Sequence, residues 1–412
     1  MKTFYTMLAA IGVTASMAAQ QLPNVGFEDE WTDCIPWTSD GNSTAKGTTP
    51  SQWTISHVIG INGLGATAVG SKVDGFKSAS AVELKNSPNE LLPTQTVPGY
   101  ITLGTPWSTS VMGSENDGGV FGGIPFTHRP DALMFRQKLL GTENKGSVVA
   151  YMWKGTYTQK DVPANIVIWG SPVTVDMVDR DRNILDKETT KGGEVTHTDD
   201  AKLIAFIEGD VTEEIGDLEE LSPEDEGWDL QEITFTYLSD ENPEKINVIL
   251  SPGEYFNSEV TPDLTLTVDN VMVVYSSRLS TITYKGEEID GFFNTDFNYE
   301  IDDEMPTDVK DFEYPVWGYS GAPKAEIALD PAKSEVRITV SNATGVDYDG
   351  KNSHVYTLKF TGGGSSIADT AADAANNVRY YNLQGNIVDA DALVSGQTYI
   401  KVANGVASKI IK

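Results

Sequence analysis

Through most of the chain, apolar and polar residues alternate in short runs separated by Gly, Pro, Asn and Asp. "SQWTISHVIGI", "GSVVAYMWKG", "PANIVIWG", "AKLIAFIEG", "QEITFTYL", "KINVILSPG" and "LTLTVDNVMVVY" are examples. A period of two, rich in β-branched and aromatic residues, predicts strands. No sustained period of 3.6 interrupts them, so the region ending near Tyr275 reads as a mostly antiparallel two-sheet sandwich. A second unit opens at "SRLSTITYKGEEIDGFFNTDFNYEI", passes through "EYPVWGYSG" and "EVRITVSNATG", and closes with "HVYTLKFTGG". Its length and short strands predict a smaller immunoglobulin-like sandwich over 277–362. "GGGSSIADTAADAANN" then predicts a linker over 363–377. The tail, 378–412, returns to strands and carries a hairpin signal at Asn404-Gly405. The fold class expected is all-β throughout.

The opening "MKTFYTMLAAIGVTASMAAQQ" combines Lys2, an apolar run and small residues at Ser16 and Ala18. That predicts an export signal over 1–18, cleaved after Ala18. No later run approaches the roughly 20 apolar residues of a spanning helix, so no membrane insertion is expected. Cys34 is the only cysteine, which rules out an internal disulfide and fits an exported bacterial protein. The formal charge of -31 argues against nucleic acid or an anionic membrane as partner and leaves neutral glycans and cations. "EGDVTEEIGDLEELSPEDEGWD", 208–229, reads as a solvated acidic loop.

Several motifs imitate known chemistry. "GINGLGATA" has dinucleotide-binding spacing at Gly63, Gly65 and Ala68, with Glu83 downstream, but "VGSKVDGFKSASAVEL" carries no helical stripe after it. His57, His128, His197 and His354 form no metal-binding pair in sequence. "GYSGA" around Ser320 is not a nucleophile elbow, and "DRDRN" at 179–183 lacks the Gly and Glu of a calcium loop. A glycosidase needs two carboxylates about 5 to 10 Å apart, and sequence alone does not select them from 60 acids. Glycan binding rests on aromatic faces that stack on sugar rings. Trp31, Trp37, Trp53, Trp107 and Tyr100 are the early candidates. Trp53 alternates like a core strand residue, whereas Trp37 and Trp107 lie where loops are expected and are the candidate stacking residues.

"GGVFGGIPFTHRPDALMFRQK", "GSVVAYMWKG", "MVDRDRNILDKE", "DDAKLIAFIEGD", "INVILSPGEYF" and "LTVDNVMVVYSSRLSTITYKGEEIDGF" together resemble the "putative carbohydrate metabolism domain" family of exported bacterial proteins. The resemblance covers roughly residues 100 to 290 and is most specific in "PFTHRPDALMF" and "LTVDNVMVVY". It departs in "SPGEYFNSEVTPDLTLTVDN", where the family carries a serine- and glycine-rich loop. It implies a jelly roll related to carbohydrate-binding modules over 19–276. The 277–362 unit is similar to cadherin-like or immunoglobulin-like modules. "YYNLQGNIV" and "YIKVANGVASKIIK" resemble a type IX secretion sorting domain, which would make secretion machinery a partner.

The resemblance also gives a role to "LPNVGFEDEW". Jelly-roll modules open on Asn-x-x-Phe-Glu, here Asn24, Phe27 and Glu28, and close on Asp-Asn-Val, here Asp269, Asn270 and Val271. First and last strands lie close in such folds, so Glu28 and Asp269 are expected to share a structural calcium ion or else to bond backbone amides. The functional expectation is an exported, secreted or cell-surface protein that binds a polysaccharide or oligosaccharide. A glycoside hydrolase and a structural surface protein are the alternatives.

Overall fold

The computed structural model describes residues 20–34, 43–61, 64–109, 118–140, 146–159, 166–168, 171–172, 195–197, 202–211, 227–256 and 260–362, together with most of 378–411. Every element among them is a strand, so the molecule is all-β as expected. It divides into two compact units, one holding 1–299 and 306–359, the other 300–305 and 360–412.

The larger unit contains a β-sandwich. One sheet runs Thr236–Tyr237, Lys202–Val211, Gly146–Lys154, Lys245–Ser251, Ile101–Thr102 and Thr54–Ile55, with Ile124–Pro125 also paired to Lys245–Ser251. The other runs Asp229–Thr234, Ala132–Leu140, Thr265–Val274, Ser78–Lys85 and Gly70–Gly75. The alternation seen in sequence now has a direction. Val148, Ala150, Met152, Val248 and Leu250 from the first sheet meet Leu133, Phe135, Val82, Leu84, Leu266 and Val268 from the second in one core. Trp53 joins them, 2% exposed, as its strand-like setting predicted.

A bulge shapes the second sheet. Met134 faces Met272 and Arg136 faces Asp269, so Phe135 opposes both Asn270 and Val271. Asn270 takes a left-handed φ of 52°, a conformation Asn tolerates better than most residues. The bulge turns Asp269 outward while Val271 returns to the core.

Ser276, Arg278, Ser320 and Asp347, within the same unit, are anchored to this sandwich by buried polar groups. Asp131 is fully buried and accepts hydrogen bonds from the backbone N–H groups of Ser276 and Ser320, each at 3.0 Å. Arg278, equally buried, donates to Glu232 at 2.5 and 3.1 Å and to Asp347 at 3.1 Å, and its guanidinium carbon lies 4.4 Å from the Trp317 ring centre. Beyond them are two small sheets. One has three strands, Glu287–Glu288, Thr283–Tyr284 and Phe312–Glu313; the other has four, Asn298–Ile301, Ser353–Phe360, Glu335–Ser341 and Lys324–Asp330.

The tail forms its own four-stranded sheet, Ile387–Val388, Val378–Tyr381, Thr398–Ala403 and Val406–Ile411. Ala403 pairs with Val406, the register expected of a hairpin at Asn404-Gly405. The signal segment 1–18, the 363–377 stretch and "DRDRN" lie outside the described residues.

Candidate functional site

The outer face of the larger sheet is a second aromatic layer. Ala150 and Met152 point into the sandwich core, so Val149, Tyr151 and Trp153 point the other way. They gather Tyr100, Val120 and Ile249, with Leu203, Phe206, Tyr255 and Phe256 half-buried at the rim. Tyr151 and Trp153 lie 5.2 Å apart, Tyr100 meets Tyr255 edge-on at 5.5 Å, and Tyr255 meets Phe256 at 5.0 Å.

Polar groups are built into this layer. Thr102 Oγ1 donates to Asn247 Oδ1 at 2.8 Å, and Asn247 Nδ2 donates to the Tyr151 hydroxyl at 2.7 Å. All three residues are fully buried. The Trp153 indole N–H is buried with no hydrogen-bond partner among the described residues, an arrangement that costs about 1–3 kcal/mol when no acceptor arrives. Its ring also requires Gly123, because a Cβ there would come within 2.8 Å of Trp153 Cη2. Lys245 Nζ lies 5.9 Å from the Trp153 ring centre, and burial lowers the pKa of its ammonium.

At the opposite end, Ser147 Oγ accepts the Tyr255 N–H at 2.8 Å, and Ser147 faces Asp210 across the strands. Glu208 faces Val149 in the same register. Both acids are exposed and share one side of the Lys202–Val211 strand, where residues two apart are separated by about 6.5–7 Å. Half-buried Tyr255 and Phe256, with Ser147 at the Tyr255 N–H and Glu208 and Asp210 on the strand next to Ser147, supply apolar ring surface, hydroxyl and carboxylate groups to one sheet face. That chemistry suits a sugar, whose C–H faces pack on rings while its hydroxyls bond polar side chains.

The residues singled out in sequence fall as follows. Trp37 lies outside the described residues. Trp107 is on a strand rather than the loop expected, opposite Gly119 and Ile168 in Thr105–Thr109; its backbone alone is described. Val120, on the strand paired with it, reaches the aromatic layer.

Glu28 and Asp269 are brought together by one hairpin. Glu28 accepts from the Ser80 N–H at 2.9 Å and the Ser80 hydroxyl at 3.2 Å. Asp269 Oδ2 accepts from the Phe76 N–H at 2.7 Å and the Ser78 hydroxyl at 2.9 Å, while Oδ1 accepts from the Asn270 N–H at 2.7 Å. Burial raises the pKa of Asp269 against these hydrogen bonds, and the charge of Glu28 adds to the rise. The donors account for both acids as hairpin anchors. Both Glu28 oxygens and Asp269 Oδ1 accept one of these bonds each and keep a lone pair that a hard cation could use, whereas Asp269 Oδ2 accepts two; no group of three His, Cys, Asp or Glu able to hold a metal occurs among the described residues.

The sequence imitations dissolve. Strands surround Gly65 where a nucleotide fingerprint needs a helix. The Ser320 backbone N–H binds Asp131, and its hydroxyl accepts from Ala322. His57 accepts the Val69 N–H and donates to the Thr48 carbonyl, with burial lowering its pKa, while His354 stacks on Phe297 at 4.6 Å. Both are packed interior rings.

No family model matches the chain, and no curated protein does. Among solved structures, one described as a putative glycoside hydrolase from Bacteroides thetaiotaomicron VPI-5482 aligns at a TM-score of 0.30 with 13% identity, over 51% of this chain and 57% of its own. Another so described, from Bacteroides vulgatus ATCC 8482, aligns at 0.32 with 14% identity, over 50% of this chain and 78% of its own. At these scores the likeness carries no argument, so the functional reading below stands on the residues.

Proposed function

We propose that this chain is an exported glycan-binding protein whose sandwich holds a sugar chain at the rim of the aromatic layer. The observation that carries the reading is a half-buried aromatic rim, Tyr255 and Phe256, joined to Ser147 on a sheet face that also presents exposed Glu208 and Asp210 from the next strand. Titration of the mature chain with a panel of neutral oligosaccharides tests it. Tyr255→Ala and Phe256→Ala should each weaken binding at least tenfold, about 1.4 kcal/mol, measured well below the melting temperature of each variant, which lost packing lowers. Absence of binding across the panel would remove the reading and favour a structural surface protein.

A hydrolase reading is supported by one feature, the placement of Glu208 and Asp210. Their backbone positions, about 6.5–7 Å apart on one strand face, are compatible with the carboxyl separation of about 5–10 Å at which one carboxyl donates a proton to the leaving oxygen while the other attacks carbon or activates water. Release of reducing sugar that is lost in both Glu208→Gln and Asp210→Asn would establish it; binding without release would leave the protein non-catalytic.

Calcium at Glu28 and Asp269 is proposed as a structural cofactor, a bound divalent ion turning the repulsion between the acids into attraction. Calcium, but not magnesium at matched ionic strength, should then raise the melting temperature, and Glu28→Gln or Asp269→Asn should abolish the shift. The sorting-like tail is proposed to engage secretion machinery; deleting 378–412 should then prevent appearance at the cell surface.

A further inference from the structure

Arg129 joins two loops at a place that the aromatic rim does not use. Its guanidinium carbon lies 4.1 Å from the Tyr237 ring centre. Nε donates to the Ser320 carbonyl at 3.1 Å, and Nη1 donates to the Ser239 and Glu241 carbonyls at 2.8 and 2.6 Å. All three acceptors are neutral, and no carboxylate pairs with Arg129 among the described residues. Nη2 has no partner among them either and is not enclosed, so its two N–H groups face solvent.

Two exposed apolar side chains belong to these loops. Leu238, 59% exposed, precedes Ser239, and Tyr319, 73% exposed, precedes Ser320, so each is one residue from a carbonyl that Arg129 holds. Tyr319 makes no hydrogen bond, ion pair or ring contact among the described residues. Its loop is nonetheless fixed on both sides. The Ser320 N–H binds buried Asp131 at 3.0 Å, Ser320 Oγ accepts the Ala322 N–H at 3.1 Å, and the Trp317 N–H donates to the Arg278 carbonyl at 2.9 Å. Gly318 takes a φ of 106°, and a Cβ there would strike the Asp131 carboxylate. A ring held in water by so constrained a loop has little backbone freedom left to lose when a ligand arrives.

We propose that Tyr319 and Arg129 form a second glycan subsite that holds one neutral sugar ring. The Tyr319 ring supplies the face that packs against sugar C–H groups, and Arg129 Nη2 donates to a sugar hydroxyl. Size selects this occupant over a protein: Leu238 and Tyr319 offer two side chains, whereas a stable protein contact buries about 800 Å² per partner. Charge selects a neutral sugar over an acidic one. Exposed Asp240 follows Ser239 on the same loop, and Glu241, although engaged by Lys154 and Lys202, adds a second carboxylate. The ligand class of the subsite rests on the glycan reading; its location does not. Ser147, which bonds Tyr255, and Lys154, which bonds Glu241, lie toward opposite ends of one strand, about 23 Å apart at about 3.3 Å per residue.

The test titrates the full mature chain with neutral trisaccharides of glucose, galactose, mannose or xylose. The tightest of them should saturate at two per chain. Tyr319→Ala should reduce this to one, as should the rim double variant Tyr255→Ala with Phe256→Ala, and all three changes together should abolish binding. Tyr319→Phe should keep both sites, because the ring face remains. In the rim double variant, Arg129→Lys should weaken the remaining site at least tenfold, since the outward Nη2 is lost. Tyr319→Ala keeps the test decisive if Arg129→Lys fails to fold. A single site lost in Tyr319→Ala but kept in the rim double variant would support the subsite while removing the rim. Saturation unchanged in Tyr319→Ala, or binding abolished by the rim double variant alone, would overturn the subsite and leave the rim standing. No binding by the wild type would overturn both, and self-association that depends on Tyr319 would assign the patch to a second copy of the chain and overturn the sugar.

Discussion

Asp131 illustrates how a single side chain can set a pH dependence. Burial pushes its pKa from 3.8 to about 6, against the pull of hydrogen bonds from Ser320 and Ser276, with the charge of Asp347 adding to the rise. The folded state therefore holds the proton more tightly than the unfolded chain, and ionisation costs stability. This cost is absent below about pH 4, grows between pH 4 and 6 and is complete above, reaching at most about 3 kcal/mol. Asp131→Asn should remove this pH-dependent loss from denaturant melts at pH 4 and 6, while destabilising the protein at both by about 1–3 kcal/mol because its amide cannot accept every bond the carboxylate does. Wild type and variant with parallel pH profiles would refute the assignment. None of this was legible in sequence, since the partners of Asp131 come from Ser276, Ser320 and Asn342, far along the chain.

At the scale of strands, the period of two was readable where one face is buried and the other is open. It fades in "VVAYMW", because Gly146–Lys154 is covered on both faces and polarity no longer marks the side. The aromatic layer was hidden for that reason, and Asn247 and Thr102 looked like ordinary strand residues. Trp53 was readable because its neighbours alternate cleanly. The pairing of Glu28 with Asp269 was visible through a familiar pair of end-strand motifs, but the Phe76 to Ser80 donors were not, because the hairpin that supplies them has no signature of its own. The Asn270 bulge was equally silent. Asn270→Val should cost about 1–2 kcal/mol, since a β-branched residue is disfavoured at a φ of 52°, and Asn270→Gly should cost less. Chemical denaturation of both variants checks the order; a Val variant as stable as the Gly variant would place the bulge elsewhere.

For the whole molecule, the sequence separated a sandwich from a smaller unit at 277, yet Arg278 binds Glu232 of the sandwich and Asp347 beyond it. Arg278→Met should leave both carboxylates buried without their cation and cost about 3–5 kcal/mol. Because the three groups join both regions, a single cooperative transition should shift downward; a loss confined to 277–360, seen by hydrogen exchange, would show that the regions unfold separately. The composition of 363–377 predicts the first protease cut there, and early cleavage within 100–270 instead would contradict that boundary.

The doubly covered Gly146–Lys154 strand also bears on how such a protein could diversify. Its residues serve alternately the sandwich core and the aromatic layer, so a substitution at Tyr151 or Trp153 disturbs packing before it can alter recognition. New ligand preferences are therefore reached most readily through the half-buried rim, at Phe206, Tyr255 and Phe256, and through exposed Glu208 and Asp210. In a library randomised at all these positions, folded members should retain Tyr151 and Trp153 while the rim drifts freely, dividing the face into an inherited floor and an evolvable border.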